Sequence, residues 1–114
     1  MTEPTDDLAT RAAAARERVR HAPPADALAP GARVVVDVRE PDEYAADHLD
    51  GAVNIPLGEL TDRAAELGDP GTPVVTYCNG GGRGSLGADT LGRLGWTDVV
   101  NLDGGLRGVR SQEG

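Results

Sequence analysis

The chain has no lysine and no phenylalanine, one cysteine, one tryptophan and two tyrosines among its 114 residues. A single cysteine excludes an internal disulfide and a multi-cysteine zinc site, so the fold must stand on packing. Because lysine is absent, all 11 basic residues are arginine; 19 acidic residues outweigh them and leave a net charge of −8. Such a field opposes phosphate contacts, and no nucleic-acid partner is expected. No apolar run approaches the roughly 20 residues of a membrane span. The opening MTEPTDDLAT is acidic and polar, without a cationic-then-apolar leader pattern, so the expectation is a soluble, cytoplasmic protein. An acidic, lysine-free surface fits either a high-salt environment or a biased genome composition. At this length one domain with a modest core is expected.

What is present alternates in type. Residues 6–20 read as a helix, with Leu8, Ala12, Ala15 and Val19 on one face. Asp6 and Asp7 suit its N-terminal end, and Arg18 and Arg20 its C-terminal end. HAPPADALAPGA interrupts, with a short helical turn expected near 25–28. Strands are expected at 33–38, 52–55, 73–78 and 97–102. Short helices are expected between them: one opening at Pro41, one carrying Leu60, Ala64 and Leu67 to a stop at Gly68, and one placing Leu86, Leu91 and Leu94 inward. The closing DGGLRGVRSQEG is expected to fray. Strand–helix alternation, with the continuously apolar PVVTYC buried on both faces, implies an α/β fold. The expected architecture is a small open parallel-sheet sandwich flanked by helices, with residues 1–22 as an N-terminal helical extension and 23–114 as the main domain.

Ligands of such sheets bind beyond the carboxyl ends of the strands, where Cys78 falls. A lone cysteine is ordinarily a small buried hydrophobe, so its neighbours decide. VVTYCNGGGRGSLG, residues 74–87, holds two overlapping patterns. Gly82, Gly84 and Gly87 spell a dinucleotide-type G-x-G-x-x-G, with Asp103 at the end of the next strand in the ribose-binding position. That pattern normally begins a domain, and it leaves Cys78 and the upstream DVRE without roles. The second pattern is C-x4-R, from Cys78 to Arg83. A loop from strand end to helix start turns successive N–H groups inward as an anion nest, and glycines leave its interior open. The expected nest runs over Asn79, Gly80, Gly81, Gly82, Arg83 and Gly84, with Ser85 beside it. A helix N-terminus contributes about 0.3–1 kcal/mol to an anion. An arginine about 5 Å away contributes up to roughly 3 kcal/mol at an effective dielectric near 20. Together these would bring a thiol from about 8.5 to about 7 or below, leaving Cys78 as a nucleophile. Cysteine-type phosphatases use a loop one residue longer; here that position is Gly84. The shorter loop favours a smaller anion, such as a persulfide sulfur.

Three segments in order carry a family resemblance from about residue 25 to 109. VVVDVREPDEYAADHLDGAVNIPL, through Asp37, Arg39, Glu43, His48, Gly51, Ala52, Asn54, Ile55 and Pro56, resembles the first rhodanese signature. VVTYCNGGGRGS resembles the family's active-site loop through Cys78, Gly81 and Arg83, and VVNLDGGL resembles its C-terminal signature. Departures include Gly84 in place of a usual Ser or Ala, and Val109 in place of a common Trp. The resemblance implies a sulfurtransferase in which Cys78 is persulfidated and passes sulfane sulfur on. The donor would be thiosulfate or a persulfide, small or protein-bound, and the acceptor a thiol or cyanide. The alternative is a non-catalytic sulfur carrier or interaction module on the same fold. No metal or organic cofactor is implied. Asp37 and Arg39 are expected as a scaffold ion pair supporting the loop, and His48 as a structural bridge. Glu43 is expected to pair weakly with an arginine. His21 is expected to be solvated, and Trp96 to pack at the core or its rim. With Arg83 as the loop's one cation, weak use of dianionic thiosulfate is expected.

Overall fold

The computed structural model describes residues 7–80 and 82–113; Asp6 of the expected first helix and Gly81 of the loop lie outside them. Helix α1 (Leu8–Arg18) starts at Asp7, whose carboxylate accepts from the Thr10 N–H at 2.7 Å. Ala15 is its fully buried residue, and Arg18 at its end is tied by a two-pronged contact to Asp89 of a later helix.

Strand β1 (Arg20–Ala22) follows at once and is an addition to the four expected strands. Helix α2 (Pro24–Ala27) is the expected turn. Strand β2 (Val34–Asp37), helix α3 (Pro41–Ala46) and strand β3 (Val53–Asn54) come next. A helical stretch centred on α4 (Leu60–Arg63) then leads to strand β4 (Val74–Tyr77), helix α5 (Gly82–Arg93), strand β5 (Val99–Leu102) and helix α6 (Gly105–Glu113).

All pairings are parallel, in the order β1-β5-β4-β2-β3. The central strand β4 is buried along its whole length, as its unbroken apolar run requires. Two clusters fill the faces of the sheet. One joins Val36, Val38, Ile55, Leu60 and Leu91, with Trp96 against it; the other joins Val75, Tyr77, Val100, Leu102 and Leu106.

Three local expectations are corrected. The C-terminal segment is helical, because Leu106 is buried and Val109 packs on the second cluster, so the last residues have a face to anchor. Leu94 is 40% exposed, since α5 ends at Arg93. His21 is held rather than solvated: its Nε2 donates to the Arg16 carbonyl at 2.9 Å, so its Nδ1 accepts from the Asn101 amide at 3.0 Å.

Candidate functional site

Cys78 is the first residue past β4 and is 2% exposed. Helix α5 opens four residues later, so the cysteine lies in the strand-to-helix turn at the carboxyl edge of the sheet. Two glycines of the G-x-G-x-x-G pattern have another task. A Cβ on Gly87 would come within 3.1 Å of the Val38 side chain. One on Gly84 would lie 3.2 Å from Tyr77 Cα, 3.3 Å from the Cys78 nitrogen, and in collision with Asn101 Oδ1. These glycines seat α5 directly on the strands. The Gly84 carbonyl is also fixed, accepting from Thr76 Oγ1 at 2.7 Å. The chain's departure to glycine at residue 84 thus has a local cause in the buried Asn101.

Helix α6 clamps the other side of the turn. The Leu106 N–H donates to the Cys78 carbonyl at 2.9 Å, and the Arg107 N–H to the Asn79 carbonyl at 3.0 Å. Gly105 permits this approach: its φ is +60°, and a Cβ there would sit 2.6 Å from both carbonyl oxygens. In a planar trans peptide C=O and N–H point oppositely, so anchoring the two carbonyls on α6 turns the Asn79 and Gly80 N–H groups away from that helix.

A chain of polar contacts supports the turn from the third side. Arg39, 3% exposed, grips the wholly buried Asp37 through Nε–Oδ1 at 3.0 Å and Nη2–Oδ2 at 2.6 Å. Its remaining donors reach the Asp47 carbonyl at 2.6 Å and Asn79 Oδ1 at 3.0 Å. The Asn79 amide donates to Glu43 Oε2 at 3.1 Å. Glu43 then takes both prongs of Arg83, at 2.7 and 3.0 Å. Its hydrogen bonds with Arg83 hold the Glu43 carboxyl at about 2, far below the ordinary value of 4.5. The same bonds raise the Arg83 pKa, with smaller contributions from the charges of Cys78 and Asp37. The arginine expected to pair with Glu43 is thus the loop arginine itself, in a two-pronged and partly exposed contact.

His48 is held on α3, its ring stacked on Tyr44 with centroids 3.8 Å apart and its Nδ1 donating to the Tyr44 carbonyl at 2.8 Å. Ser85 is buried in the first turns of α5. The expected Asp37, Arg39, Asn79 and Arg83 thus form one connected network around Cys78.

The sequence did not announce the outer wall. A cleft of about 480 Å³ opens over Cys78, bounded by Leu8, Ala9 and Ala12 of α1, Gly80 and Arg83 of the turn, and Arg107 of α6. Among the described residues no cluster fit for a metal ion occurs, and no helix is long and apolar enough to cross a membrane.

Comparison with known proteins agrees with this architecture. The rhodanese-like domain model matches residues 23–112. Thiosulfate sulfurtransferase PspE of Escherichia coli is 39% identical over 75 residues, 65% of this chain and 71% of that protein. In two Bacillus subtilis relatives the aligned stretch spans 57% and 39% of the relative's own length. The human single-domain sulfurtransferase TSTD1 superposes with a TM-score of 0.70 at 31% identity, covering 76% of this chain and 88% of that one. RPA3614 of Rhodopseudomonas palustris, described as a possible tyrosine phosphatase, superposes with a TM-score of 0.80 at 26% identity, over 100% of this chain and 96% of its own. With the match covering most of the chain and the signature residues gathered around one cysteine, this protein belongs to the rhodanese-like domain family.

Proposed function

We propose that the protein is a sulfurtransferase that carries sulfane sulfur on Cys78. The observation that carries this reading is the placement of a single buried cysteine in a strand-to-helix turn whose carbonyls are tied outward to α6. The Cys78 thiolate attacks the sulfane sulfur of a donor, the donor's own S–S bond breaks, and Cys78–S–SH forms. N–H groups of the turn, those of Asn79 and Gly80 among them, receive the charge of the outer sulfur. An external nucleophile then takes that sulfur and releases Cys78 as thiolate. The acceptor comes from outside, because Cys78 is the only cysteine in the sequence.

Arg83 reaches this site already forked onto Glu43. The pair presents a dipole rather than a full positive charge, which supports persulfide donors over the dianion thiosulfate. Phosphate-ester chemistry is disfavoured on the same ground and by the short C-x4-R loop. Initial rates measured over a grid of donor and acceptor concentrations test the enzyme reading. Parallel double-reciprocal lines with many turnovers are expected; one sulfur loaded per chain and no turnover with any small acceptor would establish a carrier instead.

A further inference from the structure

The charge of the chain is unevenly placed. Residues 40–69 hold nine acidic residues and one arginine, whereas residues 11–20 hold four arginines and one glutamate. Two cavities, of about 380 and 260 Å³, are lined from both α1 and α5 and share Arg18, Asp89 and Arg93 as a common wall. Four arginines line the pair, Arg11, Arg18, Arg20 and Arg93, against the single carboxylate of Asp89. That carboxylate is divided between Arg18 at 2.7 Å and Arg93 at 3.2 Å, and Arg93 stays 69% exposed. The Arg11 guanidinium has no hydrogen bond or ion pair among the described residues. The groove is separate from the cleft over Cys78: Leu8, Ala9 and Ala12 of α1 line the cleft, while Thr10, Arg11, Ala14 and Arg18 line the groove. Arg11, Arg18 and Arg20 also precede residue 23, where the family match begins, so the groove is built largely from residues outside that match.

We propose that this groove docks an acidic amphipathic segment of a partner protein, its carboxylates on Arg11 and the Arg18–Arg93 pair and its apolar side chains on Ala14 and Leu86. The docking is independent of the sulfur chemistry at Cys78 and serves to recruit a partner beside it. Arg11 and Arg18 stand seven residues apart on α1, about 10 Å along its axis. Carboxylates two turns apart on a helical segment, or three residues apart on an extended one, match that spacing. A guanidinium without a partner takes a carboxylate in two-pronged fashion and breaks no internal ion pair. Two cations sharing one carboxylate likewise leave N–H donors for an incoming acceptor. The acidic remainder of the chain repels a negative partner everywhere else and so orients it toward this face. A nucleic-acid strand fits less well, because it brings a phosphate at every step against the net charge of −8 and has no aliphatic side chains for Ala14 and Leu86.

The test uses the full chain and a fluorescein-labelled peptide of glutamate and leucine, about 14 residues or four helical turns long. Its glutamine counterpart and an oligothymidylate of equal charge serve as rival probes. Fluorescence anisotropy at low salt is expected to give the glutamate peptide a Kd about tenfold below that of the glutamine peptide, with the gap closing as salt rises. Arg11→Glu and Arg93→Glu are each expected to weaken the glutamate peptide about fivefold, and Arg11→Gln about threefold. Arg16→Glu makes the same charge change on an exposed position of α1 that lines neither cavity, and is expected to shift Kd less than twofold. Circular dichroism of each variant verifies that the helices are retained. Equal affinity for the two peptides overturns the proposal, as does an Arg16→Glu loss equal to that of Arg11→Glu, which would reduce the effect to net charge. Tighter binding of the oligothymidylate overturns it in favour of a nucleic acid. A wild-type dimer dissolved by Arg11→Glu overturns it in favour of a second copy of the chain.

Discussion

On one side of the Cys78 cleft, Arg39 and Arg83 each hold a carboxylate in two-pronged contact, and Asn79 links the two pairs. On the other side, Arg107 stands beside Gly80 with no such partner among the described residues, and lines the cleft together with three small or apolar side chains of α1. The first side comes from one stretch of sequence, residues 37–43, meeting the turn; the second comes from the two ends of the chain. Their chemistry differs accordingly. Matched charges fix the shape of the turn and leave little field for a ligand, while an unmatched charge adds little to the fold and is free to act outward.

Removing a matched charge should have the largest effect. Arg39→Ala strands the wholly buried Asp37 and is expected to cost about 3–5 kcal/mol, read from the denaturant midpoint. Arg107→Ala should move that midpoint by no more than about 0.5 kcal/mol, as an exposed side chain without partners does. Equal losses would erase the contrast between the two sides.

The floor between them is tested by Gly84→Ala, whose new Cβ meets Asn101 Oδ1 and the β4 backbone. A loss of about 1–3 kcal/mol is expected, and Asn101→Ala in the same chain should recover part of it. Strict additivity of the two substitutions would show that Asn101 does not set the glycine requirement.

Glu43→Gln should cost less than Arg39→Ala, about 1 kcal/mol at neutral pH, since the pair is partly exposed. Its sign with pH is definite. The folded-state carboxyl is depressed to about 2 from 4.5, so its contribution is complete above about pH 4.5 and is lost as pH falls through about 2. Unfolding midpoints of wild type and Glu43→Gln should converge over that window. The substitution should also free Arg83 and raise kcat/KM for thiosulfate severalfold, most at low ionic strength. No gain would mean that the Arg83 charge already reaches the donor.

Much of this architecture was legible because its signals are local. β2, β4 and β5 announced themselves by runs of two or three valines at their starts, and the Asp37–Arg39 pair and the Cys78-to-Arg83 spacing lie within single segments. β1 gave no such signal: Arg20–Ala22 has no apolar alternation and is a strand because its backbone pairs with β5. α6 was hidden by Gly104, Gly105 and Gly108, which depress helix propensity; its anchors are burial of Leu106 and backbone bonds to carbonyls near residue 78. Glu43 and Arg83 stand 40 residues apart, so neither spacing nor composition could show that the loop arginine was already engaged. The glycine pattern was legible as a pattern but not as a cause, because the closeness of Gly84 and Gly87 to the strands exists only once α5 is seated.

The central claim, that Cys78 receives and carries sulfane sulfur, is tested most directly by intact mass spectrometry after incubation with inorganic polysulfide, thiosulfate and an organic persulfide. With one cysteine in the chain, any persulfide on a cysteine belongs to Cys78. A single one-sulfur adduct that cyanide removes, seen in wild type and absent in Cys78→Ser, is predicted. No adduct with any donor, or an equal adduct in Cys78→Ser, would contradict the account.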